Sequence, residues 1–285
     1  MPCLRVVTIA VLSWVIDRLE RGERVAIASV IEAQGSVPGK PGARLAVSSR
    51  GGTFGTVGGA GLELNVELAL REMLSLGEGY SRKKGGKIEV FMLHKDGKGK
   101  EVTALDSLCG GRVTVSMEVI DPVPHILIAG GGHVGESLTI VCNSLGWGHS
   151  VFDVREDYCN RERFPDAREV FSGSVSDFLS KENESSLARF SDVLLLGHDW
   201  GIDEEMMIGM LQLRGESGRP RVGAIGSKTK WASFRKTAIN SGIPETVVDS
   251  VRCPIGLDIG ADSPEEIAVA VCAEVLSLER GVNSS

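Results

Sequence analysis

The sequence predicts an α/β protein with two differently patterned parts. Up to residue 121, short segments of alternating apolar and polar residues, such as RVTVSMEVI at 112–120, favour half-buried strands between helices. Beyond that point, short apolar runs alternate with helical stretches, which favours a parallel sheet with helices on both faces. Two prolines in DPVP at Asp121–Pro124 interrupt both patterns. We therefore predict a mixed α/β domain at 1–121 and a parallel-sheet domain at 122–285.

The first domain is predicted to begin with a helix, because residues 6–20 repeat apolar side chains at the helical period. Charges at Arg5, Asp17 and Arg18 fit this amphipathic helix better than a secretory signal peptide. A second amphipathic helix, 62–75, is expected to stop near Gly77. The strands predicted around these helices are 24–33, 43–49, 52–59, 87–94 and 112–120.

The second domain is predicted to start with strand 125–130, whose apolar run enters glycines, followed by helix 133–146. The last helix has a clear start, because Ser263 is the expected N-cap, Pro264 takes the first helical position and Glu266 completes a capping box. The remaining strands are predicted at 149–154, 168–173, 192–198 and 221–227.

Composition excludes several classes of protein. The 36 glycines among 285 residues follow no G-X-Y period, which rules out collagen. The net charge is −7 and its acidic excess lies after Asp121, which argues against a nucleic-acid groove there. The six cysteines form no C-x-x-C pair, so a zinc ribbon or thioredoxin motif is not expected. Because no run of 18 apolar residues occurs, we expect a cytoplasmic protein that binds neither membrane nor nucleic acid.

The strongest chemical motif is a G-x-G-x-x-G sequence between the first strand and first helix of the second domain. Gly130 would permit a tight turn, Gly132 would let backbone amides reach a pyrophosphate, and Gly135 would allow close packing. Asp153, at the end of the next strand, could accept a hydrogen bond from a ribose hydroxyl. The pattern predicts a Rossmann-type dinucleotide-binding domain, although a tight turn without a ligand would use the same glycines. The motif consists of Gly130, Gly131, Gly132, His133, Val134 and Gly135.

Two candidate sites in the first domain have simpler structural alternatives. Gly58 and Gly59 precede the helix that carries Glu63, so free amides there could hold an anion, or the glycines could serve only the turn. Cys109 stands before two glycines, between two predicted strands. Its thiolate could bind a soft metal or a sulfur species, or the side chain could simply be a small packed hydrophobe.

Polar residues also follow other strands of the second domain. His198 and Asp199 follow its fourth strand, and His133 follows its first. Because the carboxyl ends of parallel strands meet at one edge, the two histidines could share a crevice as acid–base groups or metal ligands, or make ordinary polar contacts. Gly226-Ser227-Lys228 follows the fifth strand and could add amides and a cation near a phosphate, without being a Walker sequence.

Together these motifs make the chain resemble the XdhC/CoxI family of xanthine dehydrogenase accessory proteins, nearly from end to end. In the first domain the resemblance lies in GSVPGKPGARLAV (35–47), GTVGGAGLE (55–63) and CGG (109–111). In the second it lies in AGGGHVGESL, FDVRED, GHDWGID, AIGSKTKWASFR and, above all, PIGLDIGADSPEEIAVAVCAEV (254–275). Three positions depart from the family pattern: Gly39 after the proline, Ala60 between glycines, and Trp200 where a second histidine is usual.

The resemblance implies an N-terminal XdhC/CoxI domain, a C-terminal Rossmann domain and a cytoplasmic homodimer. It also implies molybdenum cofactor (molybdopterin) as cargo, whose sulfuration and insertion the protein assists, with an apo molybdenum hydroxylase and a cysteine desulfurase as partners. Cys109 is then the candidate to approach the metal, and His198 and Asp199 are further cofactor-binding candidates.

An NAD(P)-dependent oxidoreductase is the alternative, because the glycine motif reads only pyrophosphate and ribose, so the crevice would then hold NAD or another nucleotide. Against it, Tyr158, the one tyrosine of the second domain, has no lysine three or four residues away.

Overall fold

The computed structural model describes residues 4–75, 86–93, 102–105, 111–214 and 218–282. The chain divides into two compact units, Met1–Pro122 and Val123–Ser285. The predicted fold class is confirmed, because both units are α/β and the second contains a parallel sheet of the Rossmann type. Within the described ranges, no helix is long and apolar enough to cross a membrane.

The first unit is organised around one mixed sheet. Its described elements are α1 (Leu4–Glu20), β1 (Val25–Gly35), β2 (Arg44–Ser48), β3 (Thr53–Thr56), α2 (Ala60–Ser75), β4 (Lys87–Leu93), β5 (Val102–Leu105) and β6 (Gly111–Ile120). The strands lie in the order β3-β2-β1-β6-β4-β5, and of these pairs only β4 and β5 run parallel. The sequence analysis missed β5, because VTAL neither alternates between apolar and polar residues nor forms a continuous apolar run.

Alternation along β1 gives the first sheet two apolar faces. One face buries Ala26, Ala28 and Val30 in a core that includes Leu62, Val66 and Leu70 of α2. The other buries Val25 and Ile27 with Val11 and Val15 of α1. Each helix thus covers one face of the sheet, as the period of two in the strand requires.

The second unit is a five-stranded, fully parallel sheet with helices on both faces. Its strands lie in the order β11-β10-β7-β8-β9. The direction of winding therefore reverses between β7 and β10, which is the topological switch point where open parallel sheets bind ligands. The elements are β7 (His125–Ala129), α3 (His133–Leu145), β8 (Gly148–Asp153), β9 (Val170–Ser172), α4 (Val175–Leu179), α5 (Glu184–Leu187), β10 (Asp192–Leu195), α6 (Trp200–Leu213), β11 (Arg221–Ala224), α7 (Lys228–Asn240), α8 (Glu245–Val248) and α9 (Pro264–Arg280).

Strand β7 is buried along its whole length and contributes to two cores. Ile126 and Ile128 lie in the core that holds α3 and α9, whereas Leu127 and Ala129 lie in the core that holds α6 and α7. The predicted start of α9 is confirmed, because the Ser263 side chain accepts from the Glu266 N–H and Glu266 returns the bond. These packed layers hold the carboxyl ends of the strands in place.

Candidate functional site

The glycine motif forms a tight turn from β7 into α3, and three of its glycines are required by space or backbone angle. Gly130 has φ of +130°, and a Cβ there would lie 2.7 Å from the Leu196 carbonyl carbon. A Cβ on Gly131 would overlap the carbonyl oxygen of Tyr158, and one on Gly135 would overlap that of Gly130. The turn therefore accepts no larger residue at these positions without moving its neighbours.

Gly132 differs from the other glycines, because nothing lies within 4 Å of the place where its Cβ would be. It is the N-cap of α3 and supplies no side-chain cap. The first hydrogen bond of the helix runs from the Glu136 N–H to the Gly132 carbonyl. The amides of His133 and Val134, one turn earlier, thus have no partner within the helix and lie at its positive end.

Asp153 lies at the end of β8 and is 4% exposed. Its Oδ2 accepts from the Gly131 N–H and from Arg155 Nη2, both at 2.9 Å. Its Oδ1 accepts from the Arg155 N–H at 3.0 Å and from Arg155 Nε at 2.9 Å. Burial alone would raise the pKa of Asp153, but these hydrogen bonds outweigh it and hold the pKa below its usual value. Asp153 is therefore an ionised strut that holds the glycine turn through Gly131.

Two arginines frame Tyr158 beside this turn. The Arg155 guanidinium lies 3.8 Å from the centroid of the Tyr158 ring, and that of Arg163 lies 5.4 Å from it. Arg163 donates to the Gly131 carbonyl at 3.2 Å and to Glu136 Oε2 at 2.7 Å. The sequence analysis did not single out either arginine. The signal available in the sequence for Arg155 was its position, as a basic residue two places after Asp153.

A small pocket, partly open to solvent, lies at the ends of β7, β8 and β10. It brings together Gly130, Asp153, His198 and Asp199, which the sequence analysis proposed from three separate segments. The remaining lining is largely apolar: Ala129, Phe152, Val154, Gly197, Ile202, Asp203 and Met206. Apolar walls with a few polar groups at a switch point are typical of small-molecule binding sites.

A buried ion pair supports the pocket floor. Lys230 Nζ donates to Asp203 Oδ2 at 2.7 Å, and Asp203 Oδ1 accepts from the Gly197 N–H at 2.9 Å. Both side chains are almost fully buried, and burial raises the pKa of Asp203 above its usual value. The pair was missed from the sequence, because nothing in the spacing of two residues on different helices indicates that they meet.

The remaining predicted residues are exposed, with the exception of Val134. His133 lies on the first turn of α3, Val134 follows it half-buried, and His198 is exposed at the pocket rim. Asp199 caps α6 by accepting from the Gly201 N–H at 2.7 Å. Among the described residues, no group of three or more His, Cys, Asp or Glu side chains could hold a metal ion.

The two first-domain candidates have different outcomes. Cys109 lies outside the described residues. At the second glycine cluster, Glu63 accepts from the Thr56 hydroxyl, and a Cβ on Gly58 would lie 2.7 Å from the Gly39 nitrogen. The conformation of Gly58, with φ of +88°, is thus explained by packing against the Gly39 segment.

Comparison with models of protein families shows which family the chain belongs to. Residues 126–275 match the family described as the XdhC Rossmann domain. The chain belongs to the XdhC family. Residues 18–81 match the XdhC and CoxI family as well, so the resemblance inferred from the motifs is confirmed in both units.

Relatives of this XdhC chain occur in Escherichia coli and in Bacillus species. It is 26% identical over 255 residues to Escherichia coli protein YqeB, covering 89% of this chain and 43% of that protein. It is 26% identical over 163 residues to a Bacillus subtilis protein named as a probable xanthine dehydrogenase component, covering 57% of this chain and 45% of that protein. The chain therefore spans less than half the length of these curated relatives. A Bacillus halodurans crystal structure described as a xanthine dehydrogenase is 19% identical, with a TM-score of 0.48 and coverage of 97% of both chains.

Proposed function

We propose that this XdhC protein is an accessory factor that binds molybdenum cofactor and assists its sulfuration and insertion into a xanthine dehydrogenase-type hydroxylase. Membership of the XdhC family supports the accessory role in xanthine dehydrogenase maturation. The partners we propose are an apo molybdenum hydroxylase and a cysteine desulfurase, with the protein acting as a cytoplasmic homodimer. When bound, the cofactor would supply the redox-active metal that the hydroxylase needs.

The observation that carries the proposal is the open space at Gly132. Phosphate groups bind where helix amides lack partners and no side chain intrudes, and the start of α3 meets both conditions. The phosphate of a pterin or the diphosphate of a nucleotide fits this cradle. We assign the cradle to Gly130, Gly131, Gly132, His133, Val134 and Gly135, with Asp153 as its strut and His198 and Asp199 at the rim.

The metal of the cofactor would need a soft ligand. The described residues form no cluster suited to a metal, so we keep Cys109 as the proposed soft ligand on the basis of the family resemblance. Replacing Cys109 by Ala should lower the amount of retained molybdopterin without lowering the melting temperature. Cys253→Ala, at a half-buried thiol of the second unit, is the matched control.

Gly132→Asp tests the cradle without threatening the fold. Asp is among the best N-cap residues, so the free energy of unfolding should stay equal or rise. Its carboxylate would nevertheless occupy and repel the phosphate position, so ligand binding should fall by at least about tenfold. The protein is purified from a molybdate-supplied host, co-eluting pterin is measured by fluorescence, and nucleotide binding by calorimetry.

Gly132→Ala provides the neutral control, since its methyl group meets nothing within 4 Å. If Gly132→Asp retains pterin and nucleotide as well as the parent and still supports hydroxylase maturation, the cradle assignment is wrong. Catalytic reduction of NAD or NADP by the protein, coupled to the oxidation of a substrate, would instead favour the oxidoreductase alternative.

A further inference from the structure

Three carboxylates line the pocket, and they differ in how many hydrogen bonds they already accept. An ionised carboxylate has about four acceptor positions. Asp153 already accepts four hydrogen bonds, so its positions are filled. Asp199 is exposed at the rim, where it caps α6 and where water reaches its oxygens. Asp203 lines the same pocket but is only 2% exposed, which makes its remaining acceptor positions the ones that a ligand would satisfy.

Each carboxylate oxygen of Asp203 has one acceptor position left. Its Oδ1 accepts from the Gly197 N–H at 2.9 Å and its Oδ2 accepts from Lys230 Nζ at 2.7 Å, and the described residues supply no further hydrogen-bond donor. Because the side chain is almost fully buried and lines the pocket, another donor reaches it through the pocket. A buried acceptor gains most from a donor that replaces lost water, so a ligand with N–H groups would be stabilised here.

The charge of Asp203 is already balanced, which favours a neutral donor over an ion. The buried ammonium group of Lys230 pairs with the carboxylate, so a second cation would add an unbalanced charge to a buried site. An anion would meet the carboxylates of Asp153 and Asp199 as well as that of Asp203. A neutral group with two N–H donors would fill both free positions without changing the charge of the site.

The walls around Asp203 favour a heterocycle over a sugar. The hydroxyl groups of a sugar would lose their hydrogen bonds to water against apolar side chains, whereas the carbon atoms of a ring would lose none. The pocket is small, so it suits the edge of a ring and not a whole nucleotide. The apolar side chains of the lining are Ala129, Phe152, Val154, Ile202 and Met206.

From this arrangement we propose that Asp203 recognises the donor edge of a 2-aminopyrimidin-4-one ring, in which an amino group and a ring N–H lie side by side. Carboxylates accept hydrogen bonds from the amino groups of bases, and two parallel N–H donors match the two oxygens of one carboxylate. Pterins and guanine share this edge. The inference rests on the proposed cradle at Gly132, which would hold a phosphate of the same ligand, and it makes Asp203 a specificity-determining residue.

Calorimetric titration of the full-length protein with two matched pairs of ligands tests the proposal. GMP and IMP differ only in the amino group at position 2 of the base, and pterin and lumazine differ in having nitrogen or oxygen at the same position. We expect the amino compound to bind at least about tenfold more tightly in one pair or in both, the ratio that one charge-assisted hydrogen bond supplies. The pair that shows the ratio identifies the ligand as a guanine nucleotide or a pterin.

Asp203→Asn should bring this ratio close to one, because an amide has only one oxygen and presents its own N–H donors to the ligand. Glu205→Gln removes an exposed carboxylate from the same helix and should leave the ratio unchanged. Asp203→Asn leaves Lys230 buried without a counter-charge. If that variant does not fold, the double variant with Lys230→Met is titrated in its place.

Two results would overturn the inference in different ways. Equal binding within both pairs by the parent protein, or no binding of any of the four ligands at millimolar concentration, would show that the donor edge is not recognised. A ratio that persists in the folded Asp203 variant would show that another residue recognises it. Pterin retention by Gly132→Asp decides the proposed function separately, because it does not depend on Asp203.

Discussion

At the scale of single residues, the glycines of one motif have different physical roles. At Gly131 the Tyr158 carbonyl leaves no room for a larger side chain, whereas nothing lies within 4 Å of the place where a Cβ of Gly132 would be. In the pattern G-x-G-x-x-G, Gly130 and Gly132 take glycine positions, whereas Gly131 takes a variable position. In this protein Gly131 is also fixed as glycine, because the 3-10 turn Glu156–Tyr158 packs against it.

Gly131→Ala should therefore lower the free energy of unfolding by about 1–3 kcal/mol, the usual cost of overpacking a tight site. Gly132→Ala should cost less than about 1 kcal/mol, since only the N-cap preference changes. Urea unfolding of the two variants and the parent measures both values. Equal losses at the two positions would contradict the close approach of Tyr158.

His125 makes stability depend on pH. It is 4% exposed at the start of β7, and its Nε2 lies 2.8 Å from the Ser150 hydroxyl. Burial, with smaller contributions from Arg168, Arg189 and His149, lowers its pKa from 6.5 to about 3. The folded protein thus binds a proton at His125 less readily than the unfolded chain. The stabilisation is complete above pH 6.5 and is lost progressively as the pH falls towards 3.

Lowering the pH from 7.5 to 5 should remove about 2 kcal/mol of unfolding free energy through His125. His125→Gln, which can still bond to Ser150, should lose correspondingly less over this interval. His198→Gln, at an exposed histidine, should behave like the parent. Chemical unfolding at the two pH values measures the difference, and identical losses in parent and His125→Gln would show that His125 does not titrate in this way.

At the scale of elements, the Asp203–Lys230 pair joins α6 to α7 across the carboxyl ends of the sheet. Lys230 also donates to the Ile225 carbonyl at 3.1 Å, so the pair ties together both helices and the turns after β10 and β11. Breaking such a buried pair leaves one charge without a partner in an apolar surrounding. The pocket is therefore expected to be sensitive to a single substitution at either member of this pair.

Lys230→Met should lower the free energy of unfolding by about 3–5 kcal/mol, because Asp203 remains buried and unpaired. The double variant Asp203→Asn with Lys230→Met should recover most of this loss, since Asn can still accept from the Gly197 N–H. Thermal and urea unfolding check both. A double variant as unstable as the single one would argue against charge as the cause.

At the scale of the whole molecule, each unit has apolar cores of its own. The first unit has one apolar core on each face of its mixed sheet, and the second unit has two cores that share β7. A unit with its own core is expected to fold without the other. The predicted domain division at 121/122 therefore has a direct experimental test.

The fragment 123–285 should unfold cooperatively by circular dichroism and should bind the same nucleotide as the full-length protein. The Gly132→Asp variant of the fragment is the matched control for binding. An aggregated fragment, or one that melts without a cooperative transition, would show that the second unit depends on the first for folding.

Much of the fold could be predicted from local patterns, and the site only in part. The glycine motif, the capping box at Ser263 and the positions of β7 and α3 depend on neighbours in sequence, so spacing alone located them. Strand β5, VTAL, was missed because its residues neither alternate nor form a continuous apolar run. The expected role of Asp153 depends on what else reaches its carboxylate, which spacing does not reveal.

The amino-acid order by itself determined the α/β class, the alternation of strands and helices in the second unit, and the helix start at Gly132, because these follow from periodicity and backbone preference over a few residues. Only the tertiary structure decided that Arg155 pairs with Asp153, that the Tyr158 carbonyl leaves no room for a side chain at Gly131, and that Lys230 pairs with Asp203. The physical reason is that hydrogen bonds and steric exclusion act through space. Their partners meet only after the sheet has assembled.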